Sequence, residues 1–301
     1  AHMAGSAAQS ALMAPTETLA RQHFHTLSEW CEKSGLKCDI LTGRETGQRR
    51  EDILSALAAG KINILIGTHA LFQDPVKFED LGLVIIDEQH RFGVDQRLRL
   101  TAKGDKTDIL AMTATPIPRS LTLALYGDMD ISRIHDKPAG RAPVKTVVLP
   151  AKKLAELVEG LERKISDGEQ IFWVCPLVEE SEKIDLAAAT ERFKALDRRF
   201  PGKVGLIHGQ MKGEEKDQVM AAFSAGDLAL LVSTTVIEVG VDVPNATVMI
   251  IEHAERFGLS QLHQLRGRVG RGDKEASCLL VYHPPIGDTA RKRLSTLRET
   301  D

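Results

Sequence analysis

Gln264 to Arg271 read Q-L-R-G-R-V-G-R, three arginines and two glycines in one short segment. Arginine stays charged near neutral pH, and its planar fork of N–H donors matches phosphate oxygens. Arg266, Arg268 and Arg271 alternate with Gly267 and Gly270. That pattern lets backbone approach a ligand while side chains reach it. A solvated basic loop is the plainer reading, and most charge runs are that. An acidic partner far upstream tilts the balance toward phosphate. Leu83 to His90 read L-V-I-I-D-E-Q-H. The apolar, largely β-branched run predicts a buried strand of a parallel sheet, with Asp87 and Glu88 at its end. Ligands of open α/β sheets bind beyond the carboxyl ends of the strands. Carboxylates there can hold Mg2+ and polarise a nucleophilic water. A bare D-E pair would more often be a solvated turn, but His90 and the downstream arginines argue against that here.

Such groups need a scaffold, and apolar strands alternate with amphipathic helices almost throughout. Strands are expected near 10–14, 37–41, 62–67, 83–87 and 108–113. Helices lie between them, for example over 17–34 and 48–59, the latter closed by Gly60. The stretch 136–143, D-K-P-A-G-R-A-P, breaks the pattern with Pro and Gly. Beyond it a helix over 152–166 precedes strands near 170–174, 203–207, 228–233, 247–252 and 277–282. This alternation predicts α/β domains with parallel sheets and right-handed crossovers. The expected organisation is a first domain over 4–136, a linker over 137–144 and a second domain over 145–301. The opening Ala1-His2-Met3 reads as an expression scar. A cleft between the sheets would carry Asp87 and Glu88 on one wall and Arg268 and Arg271 on the other.

Composition narrows the partners. A net charge of −3 over 301 residues gives no bulk attraction to nucleic acid, so any contact must be local. Aromatic residues make up 4%, which disfavours base stacking as a binding strategy. Cys31, Cys38, Cys175 and Cys278 show no zinc spacing and read as reduced, packed thiols of a cytosolic protein. No run reaches the roughly 18 apolar residues of a membrane span, and no signal peptide is evident. Strand ends instead carry small polar clusters: Ala14-Pro15-Thr16-Glu17, Thr42-Gly43-Arg44, Gly67-Thr68-His69, Thr113-Ala114-Thr115-Pro116, His208-Gly209 and Ser233-Thr234-Thr235. Each alone suits an ordinary turn. Together they line one edge with hydroxyls, amides and glycines, groups that bind a sugar–phosphate backbone without reading bases.

These motifs, in this order, resemble those of superfamily 2 helicases, proteins with two tandem RecA-like domains. His90-Arg91-Phe92-Gly93-Val94 is similar to two bacterial branches, RecG and the transcription-repair coupling translocase. Tyr126 to Ser132 and Lys137 to Arg141 resemble the RecG family more closely. The resemblance implies ATP and Mg2+ as cofactors, with Asp87 holding the metal and Glu88 activating the attacking water. Arg268 and Arg271 would stabilise charge on the γ-phosphate. Asp242 and Gly240 would serve the ribose, and Gly267 the nucleotide. Gln264, His90, Thr113 and Thr115 would couple the site to the domain interface. Pro15, Thr16, Gly43, Arg44, Thr68, Ser233 and Thr234 would track one DNA strand. Partners implied are branched double-stranded DNA, namely forks and Holliday junctions, and single-strand DNA-binding protein. The implied setting is the bacterial cytoplasm, at the nucleoid.

The family's phosphate loop, G-x-x-x-x-G-K-[ST], should precede Ala14-Pro15-Thr16. The first lysine is Lys33, and no Gly-Lys-Ser or Gly-Lys-Thr occurs in the 301 residues. The expectation is therefore a helicase fragment without that loop or the N-terminal wedge domain, inactive as an ATPase. Its first domain would lack a leading strand, exposing apolar edges. The coupling translocase and a catalytically dead DNA-binding module stand as alternatives.

Overall fold

The computed structural model describes residues 8–89, 92, 99–104, 106–113, 130–134, 143–176, 182–234, 243–272 and 274–300. The chain divides into two compact units, Ala1–Leu121 and Thr122–Asp301. That division falls upstream of the expected linker, in a stretch outside the described residues. Val144, expected to end the linker, already opens a strand.

The first unit runs β1 (Gln9–Met13), α1 (Glu17–Lys33), β2 (Cys38–Leu41), α2 (Gly47–Ala58), β3 (Ile64–Gly67), β4 (Leu81–Ile86) and β5 (Asp108–Ala111). Its sheet has the order β2-β3-β1-β4-β5, with every neighbouring pair parallel. All five residues of β1 are buried, as befits a strand flanked on both sides. Ala11 and Met13 pack with Leu65, Val84 and Ile86, and with Ile53 and Leu57 of α2. Each of the larger aliphatic side chains contributes about 1.5–3 kcal/mol of burial. Gln9 clamps the start of β1. Its amide donates to Leu57 O (3.0 Å) and Ile62 O (2.8 Å), and its oxygen accepts from Glu79 N (2.7 Å). Gly60 follows α2 at φ +66°, the left-handed exit expected from the sequence. Gly67 is required by contact, since a Cβ there would lie 2.2 Å from Leu41 O. The sheet is continuous through its centre, and the apolar exposure falls on edge strand β5, at Ile109 (46%) and Leu110 (50%).

The second unit runs β6 (Val144–Pro150), α3 (Leu154–Ser166), β7 (Gln170–Val174), α4 (Glu182–Arg199), β8 (Val204–Ile207), α5 (Gly213–Ala225), β9 (Leu230–Ser233), β10 (Ala246–Ile251), α6 (Leu259–Arg266), β11 (Ala276–Tyr282) and α7 (Asp288–Glu299). Its order is β6-β11-β10-β7-β9-β8, again all parallel. Period-2 alternation sorts β7 onto two cores. Phe172 and Val174 pack with Phe223, Leu262, Leu265, Leu294 and Leu297, while Ile171 and Trp173 pack with Leu161, Ala189 and Leu196. Gln170 repeats the clamp of Gln9, donating to Leu228 O (2.9 Å) and to Phe223 O at the end of α5.

Every strand expected from the sequence is present, with ends moved by a residue or two. β6 was not expected: V-K-T-V-V-L-P directly follows the Pro/Gly stretch, pairs only with β11 and contains no buried residue. No helix among the described residues is long and apolar enough to cross a membrane. The four cysteines are unpaired, and burial pushes the thiols of Cys175 and Cys278 up to about 12, which makes them poor nucleophiles.

Candidate nucleotide and nucleic-acid site

Parallel strands put their carboxyl ends on one edge, so β1, β2, β3, β4 and β5 bring Pro15, Thr42, Thr68, Asp87 and Thr113 to the same side of the first sheet. Asp87 N donates to Met13 O (2.9 Å), continuing the ladder one residue past β4. The chain then turns sharply. Glu88 sits at φ +49°, one of two non-glycine residues in the left-handed region among the described residues; the other is His253. Such a conformation costs on the order of 1–3 kcal/mol and tends to mark functional turns. It is held by Glu88 N donating to Asp87 Oδ1 (2.9 Å) and Gln89 N donating to Met112 O (3.1 Å), next to Thr113. Asp87 Oδ2 meets His23 Nε2 of α1 at 2.8 Å. Its carboxylate remains partly open, with 19% side-chain exposure.

This acidic turn fits Mg2+, which keeps several waters and typically takes only one or two protein carboxylates. No group of three or more His, Cys, Asp or Glu side chains suited to a metal occurs among the described residues. The nucleotide fits less well. Without a phosphate loop in the sequence, these residues supply no cradle for its phosphates.

Two of the expected strand-tracking residues of the first unit, Thr16 and Arg44, are already engaged. Thr16 caps α1, its Oγ1 accepting from Leu19 N (3.3 Å). Arg44 pairs with Glu17 at 2.7 Å, so a phosphate would compete with that carboxylate. Beside them Arg21 bridges Glu17 (3.1 Å) and Glu45 (2.8 Å). Burial alone would raise Glu45, but bonds from the Thr42 hydroxyl and N–H and from Arg21 hold it below the usual carboxylate range. Pro15 is half-buried, Thr68 buried and Gly43 exposed.

In the second unit the arginine segment divides. Arg266 is buried, and its guanidinium donates to Leu297 O (3.0 Å) and Thr300 O (2.5 Å) at the end of α7. The expectation that all three arginines reach a ligand is thus corrected: Arg266 caps a helix C-terminus, where a cation also favours the dipole. Gly270 is likewise structural. It has φ +72°, donates to Ala246 O (3.3 Å), and a Cβ would come within 3.0 Å of Ala276. Gly267 has helical φ −66° and needs no glycine for its conformation. Arg268 and Gln264 are half-buried and Arg271 exposed, its Nε 3.4 Å from Gly267 O. Ser233 and Thr234 end β9 with buried hydroxyls that find no hydrogen-bond partner among the described residues, and Nδ1 of His208 at the end of β8 does the same. His90, Thr115, Gly240 and Asp242 lie outside the described residues.

Sequence reasoning missed two contacts. His23 is one, a residue on the same helical face as Thr16, Leu19 and Ala20. Glu252 is the other. Lying just past β10, it accepts from Trp173 Nε1 (2.9 Å) and from Arg192 Nε (3.0 Å) and Nη2 (2.5 Å). The available signal was the pattern I-I-E-H, which repeats the I-I-D-E of the first unit. Next to it His253 stacks on His283 at 3.7 Å.

Two all-parallel α/β units with polar strand ends and an acidic turn define a tandem RecA-like helicase core. Comparison agrees: residues 2–123 match the DEAD/DEAH box helicase family and residues 152–273 the helicase conserved C-terminal domain. The chain is 53% identical to the ATP-dependent DNA helicase RecG of Acidithiobacillus ferridurans and 50% identical to that of Bacillus subtilis. Each match covers 97% of this chain but 43% of the relative, so the chain spans less than half their length. A solved structure of RecG bound to a three-way DNA junction aligns with TM-score 0.77 and 46% identity, over 97% of this chain and 38% of that one. Saccharomyces cerevisiae Dbp5 bound to RNA and ADP BeF3 aligns with TM-score 0.71 at 16% identity, over 97% of this chain and 75% of that one, a likeness of fold alone. The chain is thus a RecG-like helicase core, similar to RecG proteins over less than half of their length.

Proposed function

We propose that this chain is the motor core of an ATP-dependent double-stranded DNA translocase that acts on branched DNA. The observation that carries the reading is the acidic turn at the end of β4, where Glu88 is held left-handed beside Asp87. In this reading Asp87 holds Mg2+, and Glu88 takes a proton from the attacking water. Bound Mg2+ would neutralise charge on the phosphates. Arg268 and Arg271 supply charge for the γ-phosphate, Asp242, Gly240 and Gly267 serve the nucleotide, and His90, Gln264, Thr113 and Thr115 couple the site. Pro15, Thr16, Gly43, Arg44, Thr68, Ser233 and Thr234 follow the phosphates of one strand. Fork remodelling, Holliday junction migration, single-strand DNA-binding protein as a partner and a place at the bacterial nucleoid belong to the same proposal.

Two measurements test it. The 301 residues alone should turn over no ATP above background, with or without a three-way junction, because the phosphate cradle is absent from them. Turnover that Glu88→Gln abolishes would overturn this. Binding to a three-way junction should be weak and fall steeply with salt, log K dropping by about 0.9 per log unit of salt for each phosphate neutralised. A flat response between low and physiological salt would contradict a backbone-tracking surface.

A further inference from the structure

The contact between His23 and Asp87 joins two parts of the proposed site that the sequence keeps 64 positions apart. α1 begins at the Thr16 cap, and positions 16, 19, 20 and 23 share the face turned to the sheet. Leu19 and Ala20 are buried on that face, and His23 continues it with a side chain 27% exposed. The helix thus delivers Nε2 to Asp87 Oδ2 at 2.8 Å, while the backbone N–H of Glu88 takes Oδ1 at 2.9 Å. Two donors, one per oxygen, fix the plane of the carboxylate. Each oxygen keeps a lone pair for a cation. Metal-binding carboxylates commonly depend on such outer hydrogen bonds, and losing one typically costs 10–100-fold in metal affinity.

We propose that His23 is a positioning residue for the Asp87 carboxylate, and that through α1 it ties the metal position to the helix start where Pro15 and Thr16 meet the DNA strand. The inference rests on the reading of Asp87 as the metal carboxylate. His23 touches neither the metal nor the substrate. It works by presenting an N–H to Oδ2, so what matters at position 23 is a donor of the right reach.

The test is Mn2+ binding to the 301-residue chain, followed by loss of the free-ion electron paramagnetic resonance signal, with thermal unfolding to confirm that each variant folds. Asp87→Asn should remove the site. His23→Ala should weaken Mn2+ binding by about 10–100-fold. His23→Gln, whose amide nitrogen reaches about as far as Nε2, should recover most of the affinity, whereas the shorter His23→Asn should not. A purely structural His23 would move the unfolding temperature without this order of affinities. Unchanged binding in both His23→Ala and His23→Asn, with Asp87→Asn still abolishing it, overturns the role of His23 alone. Binding that survives Asp87→Asn, or no Mn2+ uptake by the unsubstituted chain, overturns the reading of Asp87 and the inference with it.

Discussion

Glu252→Ala should lower the stability of the second unit by about 3 kcal/mol, the near end of the range for breaking a buried ion pair. Glu252 is 6% exposed and receives the Trp173 indole and both an Nε and an Nη2 bond from Arg192. The Arg192 guanidinium also lies 5.3 Å from the centre of the Trp173 ring, so the three side chains form one unit. Removing the carboxylate leaves the indole N–H unpaired beneath a cation only 24% exposed. Denaturant unfolding of a Trp30→Phe background reads this out, because Trp173 is then the sole tryptophan and is fully buried. The pH dependence follows from the same contacts. Burial would raise Glu252, but the Arg192 bonds and charge, the indole and the charge of His253 outweigh it and hold it below the usual carboxylate range. A depressed acid stabilises the fold fully above its unfolded-state value, about 4.3, and loses that contribution as pH falls through the folded value. The stability gap between the parent and Glu252→Gln should therefore be constant near neutral pH and shrink below about pH 4.3. A gap that persists unchanged into strong acid would show that packing, not charge, is what Glu252 supplies.

How far the sequence discloses this molecule depends on the range of each interaction. Strands such as I-L-I-G and T-V-M-I-I announce themselves because burial on both faces demands unbroken apolar runs, and their polar ends mark the functional edge. β6 hides because it is an edge strand set directly after the Pro/Gly stretch, its apolar run broken early by Lys145 and Thr146. The acidic turn was legible as chemistry in D-E, but not as geometry: glutamate is an uncommon left-handed residue, and only the ladder bonds around Met13 and Met112 explain why Glu88 adopts it. His23 gave no signal at all, since its role depends on a partner brought close by tertiary packing. Gln9 and Gln170 were hidden similarly, polar residues whose amide nitrogens find acceptors only when a helix end arrives over them, the buried Gln170 oxygen keeping no partner among the described residues.

The arginine segment shows why residue type and spacing overstate a shared role. Arg266→Ala should destabilise the second unit by about 3 kcal/mol, from the loss of charge-assisted bonds worth about 1.5–3 kcal/mol each, partly offset by relaxation. It would leave Leu297 O and Thr300 O at the end of α7 without their donor, and α7 carries Leu294 and Leu297 into the core. Arg266→Lys should not rescue it, because one ammonium cannot reproduce a planar fork that spans two carbonyls and the Nδ1 of His263. Burial, reinforced by the charge of Arg266, holds His263 below its usual range, which keeps its Nδ1 available as an acceptor. Arg271→Ala, at an exposed position, should change stability by about 0.5 kcal/mol or less. Hydrogen exchange at the amides of Leu294 and Leu297 separates the two, since protection there should collapse in Arg266→Ala and persist in Arg271→Ala. If both variants lost protection equally, the segment would be one structural unit, and Arg271 would no longer be available for the phosphate role proposed for it.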